Sequence, residues 1–212
     1  MSLSSTKKLI ATWQARPYSW SQHSSFDWDH EQWFQSYVLG IRGQASAAMS
    51  FGNVLGESID TDSPLAAVPR QTHMEYEVKT KLGNIDLIGF FDSYSCGSGR
   101  CCPLNEKRLE EYKTSQNVNK WNKKSVDEHG QLTYYAMLLY LAQKVKPEDI
   151  HMRLHWIPTS EQADFTVAVS GKHQTFPTMR TMKEVFALMV EIKKRRKEMQ
   201  KYAEQRLQDM CE

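Results

Sequence analysis

Long apolar runs are absent from this chain of 212 residues, and none approaches the roughly 20 residues that a membrane-spanning helix needs. The first eight residues lack the apolar stretch and small-residue cleavage site of a secretory signal. Internal repeats and low-complexity segments are also missing. We therefore expect a soluble, cytoplasmic protein that does not enter a membrane, with one domain over residues 1–212, a core over about 44–170 and a C-terminal helix over about 178–208.

Cysteine is scarce, with 4 residues and no CxxC pair, so the sequence offers no disulfide framework. Cys96, Cys101 and Cys102 share one short stretch, and Cys211 is near the end. A zinc site built from the first three and a histidine is one interpretation. The spacing favours free thiols in a loop.

Excess charge of one sign is also missing, since the net charge is only +2 and predicts no global attraction to a polyanion. Basic residues are nevertheless grouped. Lys120, Lys123 and Lys124 surround Trp121, and a second run covers residues 193–197. Such groups can follow a phosphate backbone, or they can form the solvated face of a helix. Taken alone, the second run favours the solvated face; the three lysines are candidate nucleic-acid contacts.

Hydrophobic periodicity predicts helices and strands in alternating blocks. The predicted elements are a helix over residues 4–15, a helical segment capped near Ser19, a helix over about 44–59, strands over 74–81, 85–93 and 108–115, a long helix from 125 that ends before Pro147, strands over 150–156 and 165–169, and a helix over about 181–207. This order favours an α/β fold, an α+β sandwich built on a mixed sheet.

Acidic residues at two strand ends suggest a cation site. Asp92 follows an apolar strand, where a carboxylate is costly unless it is paired or binds a metal. Glu111 and Lys113 are two apart in a strand and therefore share a face. If these strands are neighbours, Asp92 and Glu111 can bind one Mg²⁺ and Lys113 faces the same pocket. Each feature alone also fits a turn residue or an exposed ion pair.

Other polar and aromatic residues have structural interpretations. Alternation predicts that His151 and His155 face solvent. His129 is predicted to be structural, although a substrate contact is the alternative. The crowded aromatic residues before residue 40 are predicted to pack in the core, as is a stripe on the last helix. The stripe consists of Met182, Val185, Phe186, Met189 and Ile192, and self-association is its alternative role.

Four short motifs in order resemble the PD-(D/E)XK nuclease superfamily, especially its RecB-like and phage-exonuclease branches. They are FGNVLGE at 51–57, GFFD at 89–92, EYKTS at 111–115 and QLTYY at 131–135. The segment that begins with SWS at 19–21 is similar to the opening of these domains. The likeness covers roughly residues 19–158. It departs at Phe91, where the family name has proline, and at Gly56, where RecB-like members often have histidine.

The resemblance implies a restriction-endonuclease-like core whose central mixed sheet is flanked by helices. It also implies one or two Mg²⁺ or Mn²⁺ ions bound by Glu57, Asp92, Glu111 and the Tyr112 carbonyl. Lys113 would be the catalytic lysine. Gln131 and Tyr135, one helical turn apart, would line the site and contact phosphate or orient Lys113. An iron–sulfur cluster is not expected, because the early region has no cysteine.

The function implied by this resemblance is hydrolysis of DNA phosphodiester bonds by an exonuclease-like enzyme of recombination, repair or phage replication. RNA as a substrate stays open. A bacterial or phage-infected host, self-association and a helicase or recombination partner all fit the family. The alternative is a non-catalytic nucleic-acid-binding or assembly module that keeps the nuclease fold. Against it, the acid–acid–lysine set is complete.

Overall fold

The computed structural model describes residues 3–41, 43, 73–95, 107–117, 119–161 and 167–211. The predicted helix over 44–59, with Glu57, and the loop with Cys96, Cys101 and Cys102 lie outside this part. The helices are α1 (Leu3–Gln14), α2 (Trp20–Trp28), α3 (His30–Trp33), which continues as a π-helical turn (Phe34–Leu39), α4 (Lys123–Asp127), α5 (Gly130–Gln143) and α6 (Met182–Asp209). The strands are β1 (His73–Leu82), β2 (Ile85–Ser95), β3 (Lys107–Ser115), β4 (Ile150–Glu161), β5 (Val167–Val169) and β6 (Gln174–Thr178).

The sheet is mixed, as the sequence predicts. β1, β2 and β3 are antiparallel neighbours, and β3 pairs with β4 in parallel through a crossover that contains α4 and α5. A two-residue turn at Gly83 and Asn84 joins β1 to β2. β5 and β6 both pair with β4 in the antiparallel sense. The fold is therefore α/β, with a central mixed sheet and helices packed against it.

The predicted helix from residue 125 is in fact two helices. α4 ends at Asp127 and α5 begins at Gly130, with His129 between them in an extended conformation. The buried guanidinium of Arg180 donates to the carbonyl oxygens of Val126 and His129, at 2.9 and 3.1 Å. It therefore satisfies carbonyl groups that the interrupted helix leaves without helical partners.

α5 is buried on nearly all sides. It packs against β1, β2 and α6. Its central residues are all buried: Leu132, Tyr134, Tyr135, Ala136, Met137, Leu138 and Leu139. This helix therefore lies inside the core, and it carries two of the predicted site residues.

Two further predictions are corrected, and one strand was missed. Phe186, placed in the apolar stripe of the last helix, is 51% exposed, and Leu188 is buried on that helix instead.

His155 is fully buried rather than solvent-facing, because its Nε2 lies 2.5 Å from a carboxylate oxygen of buried Glu110 and its Nδ1 lies 3.0 Å from Thr175 Oγ1. β6 was not predicted. Its five residues include Pro177, which removes a backbone donor and weakens the strand signal.

The N-terminal caps of α2 and α6 use residue types that commonly begin helices. Ser19 caps α2 by accepting a hydrogen bond from the Gln22 amide at 3.3 Å. Thr181 and Glu184 form a reciprocal capping box at the start of α6. Within the described residues, no helix is both long and apolar enough to cross a membrane.

Candidate active site

The candidate site lies where β2 and β3 separate. Their ladder contains only three residue pairs. It ends at the pair of Ser93 and Glu110, which are the chain neighbours of Asp92 and Glu111. At the other end of β2, Tyr18 occupies the place of β3: its amide donates to Asp86 and its carbonyl accepts from Ile88, at 2.7 and 2.9 Å. The edge of β2 between these two points is open.

Side chains from α5 satisfy the carbonyl groups on this open edge. Tyr134 Oη shares its proton between the carbonyl oxygens of Tyr18, at 2.8 Å, and Ile88, at 3.1 Å. Tyr135 Oη donates to the carbonyl of Phe90 at 2.6 Å. Gln131 Nε2 in turn donates to Tyr135 Oη at 2.6 Å. Unpaired backbone groups are costly to bury, so these tyrosines stabilise the separated strands. Gln131 and Tyr135 are thus in hydrogen-bond contact at this edge.

The same opening collects the predicted catalytic residues. Asp92 Oδ2 accepts a hydrogen bond from the Tyr112 amide at 2.7 Å. Because the N–H and C=O of one strand residue point to the same side, the Tyr112 carbonyl also faces the gap. Glu111 is fully buried, and its Oε1 lies 2.5 Å from Lys113 Nζ. Asp92, Glu111, Tyr112 and Lys113 therefore form one cluster.

The cluster has unusual electrostatics. Burial, and to a smaller extent the neighbouring Asp92 carboxylate, raise the pKa of Glu111 to about 8, although Lys113 opposes both effects. Burial alone would lower the pKa of Lys113, but the carboxylates of Glu111 and Asp92 outweigh it and keep that pKa above its ordinary value. Two adjacent carboxylates, Glu111 buried and Asp92 half-buried, next to one ammonium are an arrangement typical of functional sites.

The donor set fits a hard divalent cation. Neither side-chain oxygen of Glu111 has a hydrogen-bond partner of normal geometry among the described residues, although both are buried. Asp92 supplies a second carboxylate, and the Tyr112 carbonyl supplies a neutral oxygen. Mg²⁺ and Mn²⁺ prefer such oxygen ligands. A bound cation would also relieve the repulsion between the carboxylates.

A cleft of about 680 Å³ opens beside this cluster. Lys113 is the member of the cluster that lines it, with 29% of its side chain exposed. The rest of the wall comes from the start of α2, the open edge of β2, the segment before α4 and the start of α5. These residues are Ser19, Trp20, Ser21, Ser24, Ile88, Gly89, Phe90, Lys120, Trp121, His129, Gln131, Tyr134 and Tyr135.

Glycine is required where α5 passes the cleft wall. A β-carbon at Gly130 would lie 2.2 Å from the ring of Trp20, and one at Gly89 would lie 2.5 Å from the side chain of Leu138. Both distances are far below van der Waals contact. Gly89 is the glycine of the GFFD motif, so the motif has a direct packing explanation.

Only one of the three predicted nucleic-acid lysines lies at this cleft. Lys120 lines it, with Nζ 5.6 Å from the ring centre of Trp121. Lys123 forms an ion pair with Asp127 and lines a separate cavity next to β6. Lys124 is exposed on α4. Sequence proximity grouped these lysines, but the turn into α4 separates them.

The basic run on α6 is partly internal. Arg195 forms an ion pair with Asp27 on α2 at 2.6 Å. Arg196 lies 4.0 Å from the ring centre of Trp13 and donates to the Gln14 carbonyl. The prediction of a solvated face therefore holds for the exposed lysines of this run, which are Lys193, Lys194 and Lys197.

Sequence reasoning missed Arg180. Besides the two carbonyls between α4 and α5, its guanidinium donates to Thr133 Oγ1 at 2.8 Å. It therefore fixes the start of α5, from which His129 and Gln131 reach the cleft. No motif or spacing marks this arginine; its role depends on β6, which the sequence did not predict.

Comparisons with known proteins support the fold. No family model matches the chain, and no curated protein sequence does. Among solved structures, a protein from Eubacterium rectale with the provisional designation exonuclease is similar, with a TM-score of 0.57 and 10% identity over 96% of this chain and 86% of that one. This likeness establishes a shared fold alone. SSO0001 has 14% identity over 89% and 81% of the two chains, and its TM-score of 0.44 is too low to carry a conclusion.

Proposed function

We propose that this protein is a metal-dependent nuclease that hydrolyses phosphodiester bonds of DNA. The observation that carries the proposal is the cluster of Asp92, Glu111 and Lys113 at the opening between β2 and β3, next to a cleft. The arrangement agrees with the ligand and lysine roles that the PD-(D/E)XK resemblance implies. Glu57, the remaining ligand in that resemblance, stays a prediction.

Asp92, Glu111 and the Tyr112 carbonyl would hold the cation, which is one or two Mg²⁺ or Mn²⁺ ions in this proposal. When bound, such an ion polarises a phosphoryl oxygen and lowers the pKa of a bound water. Asp92 has a second role, because its hydrogen bond to the Tyr112 amide fixes the distance between the two strands. The protein would therefore supply one buried and one half-buried carboxylate, with the latter held by a backbone hydrogen bond.

Lys113 is the proposed catalytic cation of the chain itself. The carboxylates of Glu111 and Asp92 keep its pKa above the ordinary value, so its ammonium is charged at neutral pH. Since part of the side chain reaches the cleft, this charge can stabilise negative charge that develops on a phosphate there. The hydrogen bonds from Gln131 to Tyr135 and from Tyr135 to Phe90 hold the opposite wall of the cleft in place.

DNA is the proposed substrate and exonuclease-like cleavage the proposed mode. The E. rectale protein of the same fold carries an exonuclease designation, which agrees with this choice. The cleft adds chemistry suited to a nucleic-acid strand. Lys120 supplies positive charge for a phosphate, and Phe90, 53% exposed, supplies an aromatic face for a base.

Digestion of end-labelled linear and closed-circular DNA in Mg²⁺ or Mn²⁺ tests the proposal. We expect the wild type to cleave only with metal and Lys113→Ala to be inactive. Lys79→Ala is the matched control, because Lys79 also pairs with a glutamate two residues earlier on a strand but lies outside the cleft. The circular substrate separates internal from terminal cleavage.

Two results would contradict the proposal. If the wild type cleaves neither single-stranded nor double-stranded DNA yet binds it, the chain is a non-catalytic module with a nuclease fold. If Lys113→Ala cleaves as fast as Lys79→Ala, the assigned cluster is not the active site.

A further inference from the structure

A second cluster of metal-ligating side chains joins α2 to α6, separate from the candidate active site. His23 on α2, one helical turn before Asp27, points its Nε2 toward α6. Nε2 lies 3.3 Å from Asp27 Oδ2 and 3.3 Å from Glu191 Oε1. The three ligand atoms all lie within 4.8 Å of one another. None of these residues lines the cleft beside Lys113.

We propose that His23, Asp27 and Glu191 form a zinc-binding site that fastens α2 to α6. Imidazole nitrogens and carboxylate oxygens both bind Zn²⁺, and three protein ligands leave a fourth position for water. Zinc lies about 2.0–2.2 Å from nitrogen and oxygen ligands, so neighbouring ligand atoms of a tetrahedral site are about 3.3–3.6 Å apart. The two measured distances from His23 Nε2 already meet this requirement.

The surroundings of His23 favour metal binding. His23 is only 2% exposed, and its Nδ1 lies 2.6 Å from Tyr18 Oη. When Nδ1 carries the proton and donates to Tyr18, Nε2 is free to bind a metal, which is the usual arrangement around a ligating histidine.

The carboxylates are arranged in the same way. Arg195 donates to the other oxygen of Asp27, at 2.6 Å from Oδ1, and leaves Oδ2 facing His23. Such hydrogen bonds to the second oxygen are typical of metal-binding carboxylates. Asp27 and Glu191 are 40% and 49% exposed, so the ion can enter from solvent and water can complete its coordination.

The position of the site gives it a structural role. α2 carries Trp20, Ser21 and Ser24, which form one wall of the cleft, whereas Glu191 belongs to the long helix α6. A metal between the two helices would hold that wall against the body of the protein. This inference does not depend on the proposed nuclease activity.

The test is titration of the full chain with Zn²⁺ by calorimetry, in an Asp92→Asn, Glu111→Gln background. These substitutions remove the carboxylates of the other candidate metal site. We expect one saturable equivalent and a rise in Tm on Zn²⁺ addition. In this background His23→Gln should lose that equivalent, whereas His151→Gln, which changes an exposed histidine on β4, should keep it.

Two further variants protect the test against misfolding at buried His23. Asp27→Asn, a half-exposed change, should weaken Zn²⁺ binding while circular dichroism stays unchanged. Tyr18→Phe should weaken it by about tenfold or more, since loss of a hydrogen bond to a ligating histidine typically has this effect. Co²⁺ in place of Zn²⁺ gives an absorption spectrum that reveals cysteine ligands by their near-ultraviolet charge-transfer bands.

Equal Zn²⁺ stoichiometry and affinity in the background protein, His23→Gln and Asp27→Asn would overturn the proposal. So would thiolate bands in the Co²⁺ spectrum that persist in His23→Gln and account for the bound equivalent. Absence of saturable binding in the background protein would overturn it as well. In each case the cluster is an ion-pair network between two helices, and the nuclease proposal is unaffected.

Discussion

Two glutamate–lysine pairs with the same spacing lie on different strands of one sheet. Glu77 and Lys79 are on β1, with 2.6 Å between Oε1 and Nζ; Glu111 and Lys113 are on β3, with 2.5 Å. The β1 side chains are 43% and 63% exposed, whereas Glu111 is buried and Lys113 is 29% exposed. Local geometry is nearly identical, so burial and the nearby Asp92 distinguish a candidate active site from a surface ion pair.

The largest difference is expected in catalysis. Glu111→Gln should reduce DNA cleavage by at least about 100-fold, because it removes a proposed metal ligand beside Lys113. Glu77→Gln should leave the rate unchanged. Initial rates on end-labelled DNA at saturating Mg²⁺ make the comparison. Equal rates for the two variants would mean that burial does not distinguish the pairs functionally.

The charge of Lys113 should also affect how the free energy of unfolding depends on pH. Burial, together with the charges of Lys113, Arg180 and Lys120, lowers the pKa of His129 to about 4 from the ordinary 6.5. As the pH falls, His129 therefore takes up a proton in the unfolded chain before it does so in the folded protein. The contribution of neutral His129 to the free energy of unfolding is complete above pH 6.5 and decreases as the pH falls towards 4. The loss should reach about 3 kcal/mol.

Urea unfolding between pH 7 and pH 4 measures this loss. His129→Gln should flatten the pH dependence, whereas His151→Gln, at an exposed position, should leave it unchanged. A wild-type curve that is as flat as that of His129→Gln would contradict the assignment of a half-buried neutral histidine at the cleft.

Mg²⁺ should stabilise the folded protein through the glutamate–lysine pair on β3 and not through the pair on β1. A Mg²⁺ concentration of 100 times the Kd should raise the free energy of unfolding by about 2.7 kcal/mol in the wild type and in Glu77→Gln. The effect should be lost in Glu111→Gln. Denaturant unfolding with and without Mg²⁺ provides the measurement, and equal stabilisation of all three proteins would place the ion elsewhere.

The smallest effect is expected for the surface pair itself. Lys79→Ala should change the free energy of unfolding by less than about 1 kcal/mol, as is usual for an ion pair that water screens. Urea denaturation at low and high salt checks this expectation. A larger, salt-insensitive loss would mean that the pair on β1 is structurally more important than its exposure indicates.

Much of the fold was predictable because local signals and tertiary structure agree. The antiparallel strands β1 and β2, the spacing of Glu111 and Lys113, and the helix caps at Ser19 and Thr181 all follow from short-range chemistry. The proximity of Asp92 to Glu111 was expected on the condition that their two strands are neighbours. β2 and β3 are neighbours only up to Ser93.

Features that the sequence did not predict depend on distant partners. His155 alternates as a solvent-facing residue does, but Glu110 and Thr175 from neighbouring strands allow its burial. The break between α4 and α5 depends on Arg180, which is about 50 residues away in the chain. The periodicity within one strand or helix contains no information about partners that are distant in the chain.

The short ladder between β2 and β3 makes one backbone amide informative. Tyr112 donates its N–H to the Asp92 carboxylate instead of to a neighbouring strand. Its hydrogen-exchange rate therefore reports whether the site is assembled, without substrate and without metal. Asp92→Ala should accelerate exchange at this amide by about tenfold or more, since a hydrogen bond to a charged group is lost, while amides in the β3–β4 ladder keep their protection. A single amide proton thus measures the integrity of the proposed catalytic centre.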